Sequence, residues 1–488
     1  MTMVERAASL GHEDLPPGGS LIAGVWRSSP LEMAVHDPED GSLVGYVYRC
    51  TGPDVEQAVG AAAASMRVDW PLYERVEALR RAAAAVREQS ARFARVIAAE
   101  GVKTLREARA EVARCVETLR TAADSADALT GATLPTGASA RGVHRMGWYT
   151  REPVGVIGAI SSFNDPLNLV AHKLAPAILV GAAIVLKPSD QTPFSALNLV
   201  QVLLDSGVPA GRVSVVCGGP EVGGALVCDP RVAVVSFTGG VRTAEAITRA
   251  AGVKKMLMEL GGNNATIVCA DADVDLAVEA IVSGAFGVAG QNCLSVQRVY
   301  AERPVFEQVL AQVASRADAL VVGSKQDERT DVGPLVSVAA ADRLAATVDE
   351  AVAAGARVVT GGIRRGSFYT PTVLTKVPPD AAAMREELFG PVVIVEPVGS
   401  VDEAIRLADE CAFALQTGVF TASIATANAV VARMTVGAVL VNDTSDFRLD
   451  AMPFGGFRQS GIGREGIRSA VLELTAPKCV LMPVPRAR

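Results

Sequence analysis

Histidine is scarce in this chain: 488 residues contain four, His12, His36, His144 and His172. So few imidazoles make a histidine-rich metal site hard to build and leave a Cys–His protease dyad few candidates. No two of the eight cysteines (Cys50, Cys115, Cys217, Cys228, Cys269, Cys293, Cys411 and Cys479) form a C-x-x-C pair. That wide, irregular spacing argues against a zinc site and a disulfide scaffold, and implies no metal and a reducing cytoplasm. A basic excess is lacking as well. The net charge of −7 speaks against a nucleic-acid surface and against a polybasic membrane anchor. The opening MTMVERAASLGHEDLPPGG has no basic start followed by an apolar run, so no secretory signal is expected there. One stretch, residues 167–186, is long enough to span a bilayer, but it carries His172, Lys173, Pro176 and Gly181. It reads as a buried helix, a turn at Gly181 and a short buried strand. Internal repeats and low-complexity linkers are absent.

What remains is a globular composition, 50% hydrophobic and 20% charged, on a chain too long for one simple core. Residues 55–130 are rich in Ala, Glu and Arg and predict a run of amphipathic helices with charged outer faces. From about residue 150 short β-branched runs alternate with helical segments: VGVIGAI, AAIVLKP, RVSVVCGG, VAVVSFTGG. This is the pattern of parallel βαβ units, whose ligand loops sit at the carboxyl edge of the sheet. A second α/β block starts near MLMELGGNNATIVCADADVDLAVEAIVSGAF, and the last twenty residues form a strand-like tail with few partners of its own.

Several loops carry residue types suited to chemistry. In GVAGQNCLSVQRV, Cys293 sits among small residues, whereas a packing cysteine usually lies in an apolar strand or helix. Glu259 in MELGGNNA lies between apolar residues and a Gly-Gly turn, where desolvation raises a carboxyl pKa toward that of a general base; it equally suits a turn cap. Asn164 in SSFNDPLN has the carboxamide of an oxyanion donor, or of a plain turn residue. Gly239 and Gly240 in FTGGVRTAEA open a helix and leave N–H groups for a phosphate, or form an ordinary tight turn. In LKPSDQTP, Lys187 could reach a phosphate or ribose hydroxyl and Asp190 could accept from a ribose, against the reading of a solvated strand end.

Taken together and in order, EPVGVIGAISSFNDP, LKPSDQTP, VSFTGG, MELGGNNA, GQNC, EELFGPV and MPFGGFRQSGIGREG resemble the aldehyde dehydrogenase superfamily from roughly residue 20 onward. The resemblance implies an α/β fold with three parts. A Rossmann-like NAD(P)-binding domain would take residues 1–127 and 148–258, an α/β catalytic domain 259–468, and a small β oligomerisation arm 128–147 and 469–488. It implies Cys293 as nucleophile, Asn164 with the Cys293 N–H as oxyanion hole, and Glu259 as general base for hydrolysis. Lys187 and Asp190 would bind the adenosine ribose, Gly239 and Gly240 the pyrophosphate, and Glu387 the nicotinamide ribose, with Phe389 near the nicotinamide. It implies a homodimer or homotetramer acting on a small-molecule aldehyde with NAD, NADP being possible.

Three departures stand out. Gly240 replaces a frequent hydroxyl residue and Ala244 a frequent glycine, so pyrophosphate contacts would be mostly backbone; Asp190 is shorter than the frequent Glu. NDTSDFRLDAMPFGG is similar to the lactaldehyde, phosphonoacetaldehyde and non-phosphorylating glyceraldehyde-3-phosphate branch. There Arg448, with Arg114 as a second anchor, would grip an acidic head group. Equally, Arg448 could form a structural ion pair with Asp446 or Asp450. Asn292 and Asp165 stand where phosphonoacetaldehyde enzymes tend to be basic, and an acid there would repel a dianion. The substrate expected is a small polar or anionic aldehyde, a phosphonate or α-hydroxy aldehyde among them. The rivals are a CoA-acylating semialdehyde dehydrogenase, disfavoured by Glu259, and a non-catalytic protein retaining the fold, disfavoured by the intact Cys293, Glu259 and Asn164.

Overall fold

The structure, a computed structural model, describes residues 14–16, 19–28 and 31–484. The opening residues read for a secretory signal, with His12, lie almost wholly outside the described residues, as do the last four of the tail.

The Ala/Glu/Arg-rich segment forms four helices, Gly52–Ser65, Leu72–Glu88, Ser90–Glu100 and Leu105–Asp124. The last begins in a reciprocal cap. Glu107 accepts from the Thr104 N–H at 2.9 Å, and the Thr104 hydroxyl accepts from the Glu107 N–H at 3.3 Å. Its buried Ala108, Val112, Cys115, Leu119 and Ala122 recur at helical spacing and set one face into the core.

The β-branched runs build an eight-stranded sheet in the order Val25–Arg27, Ser20–Ile22, Val213–Val215, Ile184–Lys187, Val156–Ile160, Val232–Thr238, Lys255–Glu259, Gly461–Ile462. The five middle strands are parallel. Ile184 and Leu186 face one core and Val185 the other, so both faces are covered by helices. From Val156–Ile160 the chain first adds strands on one side and then on the other. The switch falls between this strand and Val232–Thr238, where such sheets leave a ligand crevice. Lys187, Ile160, Thr238 and Glu259 end their strands along this one edge.

Residues 168–180 form a helix buried throughout, closed by Gly181 at φ 78°, a left-handed turn that glycine adopts without a Cβ penalty. Among the described residues no helix is long and apolar enough to cross a membrane.

A second sheet has the order Arg357–Thr360, Thr372–Thr375, Val392–Val398, Val296–Glu302, Asn264–Val268, Gln416–Phe420, Ala438–Val441, parallel except at its first strand. The tail departs from the expectation of few partners. Thr475–Pro483 runs antiparallel to Arg145–Pro153 along its full length, and Ala132–Leu134 completes a three-stranded sheet. The two halves of the chain are also pinned by Lys325, whose buried ammonium donates to the carbonyls of Ala98 at 2.5 Å and Gly101 at 2.7 Å and pairs with Asp37 at 2.7 Å.

Candidate active site

The cysteine loop lies between the helix Val274–Phe286 and the strand Val296–Glu302. Val288 and Ala289 adopt left-handed backbones (φ 54° and 51°), a strain of about 1–3 kcal/mol each that a functional loop can hold. At Gly290 a Cβ would lie 2.1 Å from the Gly390 carbonyl oxygen, so only glycine fits. This turn presents Cys293 half-buried, its carbonyl oxygen held by the Asn264 amide at 2.8 Å. Burial and then the Glu387 charge push the thiol pKa up, against a smaller lowering by Arg448. The resting group is therefore a thiol, contrary to the thiolate-favouring surroundings expected of a reactive cysteine, and attack needs a base.

Glu259 lines one cavity together with the thiol. It is buried at the end of its strand, and its Oε2 has no hydrogen-bond partner. Burial, then the Glu465 charge, raise its pKa well above the usual carboxylate range. Glu465 goes the other way: burial opposes ionisation, but Lys173 at 3.2 Å and Arg448 at 3.6 Å outweigh it. The two carboxyls are thus pushed apart in acidity, Glu259 toward the basic side. Asn164 is buried past the strand Val156–Ile160. Its amide donates to the Gln291 carbonyl at 3.0 Å, which ties it to the cysteine loop.

Arg448 departs from both ion pairs expected for it. Asp450 belongs instead to His172 at 2.8 Å and Arg114 at 3.2 Å, and Asp446 accepts from the Asn292 amide. Arg448 turns inward over the ring of Phe454, 6% exposed, and among the described residues Glu465 at 3.6 Å is its one carboxylate within ion-pair distance. Its Nε and Nη2 have no hydrogen-bond partner. Arg114 also lies 3.6 Å from Asp165. The repulsion expected from Asp165 is cancelled by Arg114 and by a buried lysine, Lys103, which contacts both Asp165 and Glu111. Lys103 escaped the sequence reading; its one signal is its place just before the Thr104 cap.

The cofactor-type residues gather in one cleft of about 600 Å³. Lys187 pairs with Asp190 at 2.7 Å. Gly240 starts the helix Val241–Ala251, a Cβ on it would meet nothing, and Ala244 is buried in the helix face rather than the turn. Glu387 accepts from the Gly262 N–H at 2.9 Å, and burial raises its pKa to about 7. Phe389, at φ 50°, sets its ring edge-on to Phe163 at 5.9 Å. An open helix start, ribose-type acceptors and a buried carboxyl at the sheet's switch point fit a dinucleotide. A second cavity, about 530 Å³, holds Lys103, Arg114, Asp165, Asp443, Asp446 and Phe447, and it shares Asn164, Leu169, Cys293 and Arg448 with the first. The thiol and Arg448 therefore stand in the wall between the two cavities. Among the described residues no group of three His, Cys, Asp or Glu side chains could hold a metal ion.

The aldehyde dehydrogenase family model matches residues 26–480. The chain belongs to the aldehyde dehydrogenase family. This aldehyde dehydrogenase is 44% identical to aspartate-semialdehyde dehydrogenase 1 of Pseudomonas canavaninivorans, over 93% of this chain and 97% of that one. It is 37% identical to the 3-sulfolactaldehyde dehydrogenase of Priestia aryabhattai, over 95% and 98%. Among solved structures it resembles aldehyde dehydrogenase 21 of Physcomitrella patens in complex with its product succinate, with TM-score 0.93 and 33% identity over 96% of this chain and 99% of that one. It likewise resembles a glyceraldehyde-3-phosphate dehydrogenase of Methanocaldococcus jannaschii complexed with NADP, with TM-score 0.90 and 33% identity over 93% and 100%. Betaine aldehyde dehydrogenase of Staphylococcus aureus, in complex with NAD+, has TM-score 0.93 and 29% identity over 97% of each chain. The activity that goes with the family is NAD(P)-dependent oxidation of an aldehyde.

Proposed function

We propose that this enzyme oxidises a small polar aldehyde with an anionic head group to the carboxylic acid. The observation that carries the reading is Arg448: a guanidinium in the wall of the cavity that holds Cys293, paired with Glu465 at 3.6 Å but, among the described residues, without a hydrogen bond at Nε or Nη2. A guanidinium in that state is a receptor for a carboxylate, sulfonate or phosphonate. The relatives named for aspartate semialdehyde and sulfolactaldehyde, and the one crystallised with succinate, all handle compounds carrying such a group.

In this reading Cys293 gives its proton to solvent and its sulfur bonds to the aldehyde carbon. The Asn164 amide and the Cys293 N–H stabilise the oxyanion. Lys187, Asp190, Gly239, Gly240, Glu387 and Phe389 would hold the dinucleotide, which would supply the acceptor for the hydride. Glu259 then takes a proton from water as it adds to the thioester carbon; the carbon–sulfur bond breaks and the thiol is restored. The three-stranded sheet would serve as the arm of a homodimer or homotetramer, since Leu481 and Met482 on its last strand are exposed. The test is NAD(P)H formation with neutral, α-hydroxy, carboxylate-, sulfonate- and phosphonate-bearing aldehydes, beside Cys293→Ala and Arg448→Ala. Anionic aldehydes should lead in kcat/KM and lose that lead in Arg448→Ala. Neutral aldehydes leading, with Arg448→Ala affecting all alike, would sink the anionic reading.

A further inference from the structure

The two loops that meet at the thiol are clasped together on both sides of it. On one side Ser445 donates its hydroxyl to the Leu294 carbonyl at 2.8 Å. On the other Asp446 accepts from the Asn292 amide. Residues 292 and 294 flank Cys293, so the loop 443–448 grips the chain just before and just after the sulfur. That loop is itself held by Gln416, on the strand Gln416–Phe420, which donates to the carbonyls of Ser445 at 2.6 Å and Phe447 at 3.1 Å. The helix Val274–Phe286 packs so closely on Asp446 that a Cβ on Gly284 would lie 3.0 Å from the Asp446 Cβ. Asp446 therefore has little room to move.

This clasp fixes the Asn292 amide in one orientation. Its oxygen accepts from the Leu294 N–H at 3.1 Å, and its nitrogen donates to Asp446. Turning the amide over would set its NH2 against an N–H and its oxygen against a carboxylate. Burial raises the Asp446 pKa to about 6, with Arg114 and Lys103 lowering it and Asp443 raising it, so at neutral pH the group is a carboxylate that can only accept. The same Asn292 oxygen accepts the thiol hydrogen of Cys293, with the sulfur 3.8 Å away. Asn292 and Asp446 line the 530 Å³ cavity together with Cys293, and among the described residues neither lines the 600 Å³ cleft. A thiol bonded to Asn292 is thus held on the cavity side of the wall. We infer that Asn292 and Asp446 are positioning residues for the nucleophile: the Asp446 carboxylate orients the Asn292 amide, and the amide oxygen aims the Cys293 sulfur into the aldehyde cavity. The inference rests on Cys293 being the nucleophile, as proposed above, and adds what sets its direction. A sulfur free to rotate spends time off the line of attack, and a misplacement of about 1 Å can cost roughly a hundredfold in rate.

The test follows the first-turnover rate of NADH formation at saturating NAD+, on full-length enzyme, with two unlike aldehydes, propanal and succinate semialdehyde. Asn292→Ala should slow that rate at least about tenfold with both aldehydes alike and leave the half-saturating aldehyde concentration nearly unchanged, because the sulfur and not the head group is misplaced. Asp446→Ala should do the same, whereas Asp446→Asn, which keeps an oxygen for the Asn292 amide, should retain most of the rate. The double variant Asn292→Ala/Asp446→Ala should be no slower than the slower single one, since the two act in one chain. If Asp446→Ala does not fold, the half-buried Asn292 carries the test through Asn292→Ala alone. Asn292→Ala near the wild-type rate, Asp446→Asn as slow as Asp446→Ala, losses that multiply in the double variant, or losses confined to one aldehyde overturn the inference. Cys293→Ala separates the two levels. A first turnover that survives it refutes the nucleophile itself; a first turnover lost in it, beside an unaffected Asn292→Ala, sinks only the positioning.

Discussion

The guanidinium carbon of Arg448 lies 3.7 Å from the centre of the Phe454 ring, and its far nitrogen stops 3.6 Å short of Glu465. Arg448 is therefore held in place by an aromatic face and a long ion pair rather than by hydrogen bonds. Its charge also lowers the pKa values of Glu259, Glu465 and Cys293.

Removing that charge leaves Glu465 buried with Lys173 as its remaining partner. Arg448→Ala should lower stability by about 3–5 kcal/mol, the usual cost of breaking a buried pair. Arg448→Met, which keeps apolar mass on Phe454, should lose less. Urea unfolding of the two variants checks this; equal losses would mean the charge, not the packing on Phe454, sets the cost.

Glu259 acts in the second half of the proposed reaction. Glu259→Gln should leave the first turnover nearly intact and slow hydrolysis, giving a burst of roughly one NADH per subunit followed by a steady state at least about a hundredfold slower. Stopped-flow absorbance reads both phases. A variant that loses the burst along with the steady state would place Glu259 in the first step instead.

The raised pKa of Cys293 predicts sluggish alkylation in the cofactor-free enzyme. The rate with iodoacetamide, followed at Cys293 by mass spectrometry, should still be climbing above about pH 8.5, where an ordinary thiol is half ionised. A plateau below about pH 8 would contradict the environment described.

His172 is kept neutral by burial, with the Arg448 charge adding to the effect and Asp450 opposing it. A histidine whose folded pKa is lowered contributes stability above its unfolded pKa of about 6.5 and loses it as pH falls. The stability advantage of wild type over His172→Asn should therefore shrink by about 1 kcal/mol between pH 7 and pH 5. An advantage that grows on acidification would show that Asp450, not burial, dominates.

Lys325 places an ammonium against the carbonyl end of the helix Ser90–Glu100 and against Asp37. Lys325→Met should cost about 3–5 kcal/mol, because the Asp37 carboxylate and two carbonyls lose their cation together. Chemical denaturation measures it, and a change under about 1 kcal/mol would show that solvent replaces the lysine readily.

The sequence made the strand-end chemistry readable because each element carries its own signal. Glu259, Asn164 and the Gly239–Gly240 turn follow apolar runs, and a parallel sheet gathers the ends of such runs on one edge; Cys293 shows instead by its small neighbours, on a turn between a helix and a strand. The charge network was not readable, because its partners are distant in the chain. Arg448 has Asp446 and Asp450 beside it in sequence, yet the loop turns it toward Glu465, seventeen positions on. Lys173 sits in an apolar helix, and nothing local shows that it meets Glu465 and Ser236. The tail was misjudged for a related reason: its partner strand, Arg145–Pro153, lies more than three hundred residues earlier.

The strand that ends in Glu259 is paired on one side with Thr238 and on the other with Gly461. The second partner is made 223 residues after the first. During synthesis the first sheet therefore waits with an open edge while the whole second sheet is translated, and only a nearly finished chain can close it. A ribosome that stops early releases a protein with the thiol but without the strand that walls in its base. The reactive centre is in this way withheld from incomplete chains, and the first sheet cannot be cut out as one continuous piece.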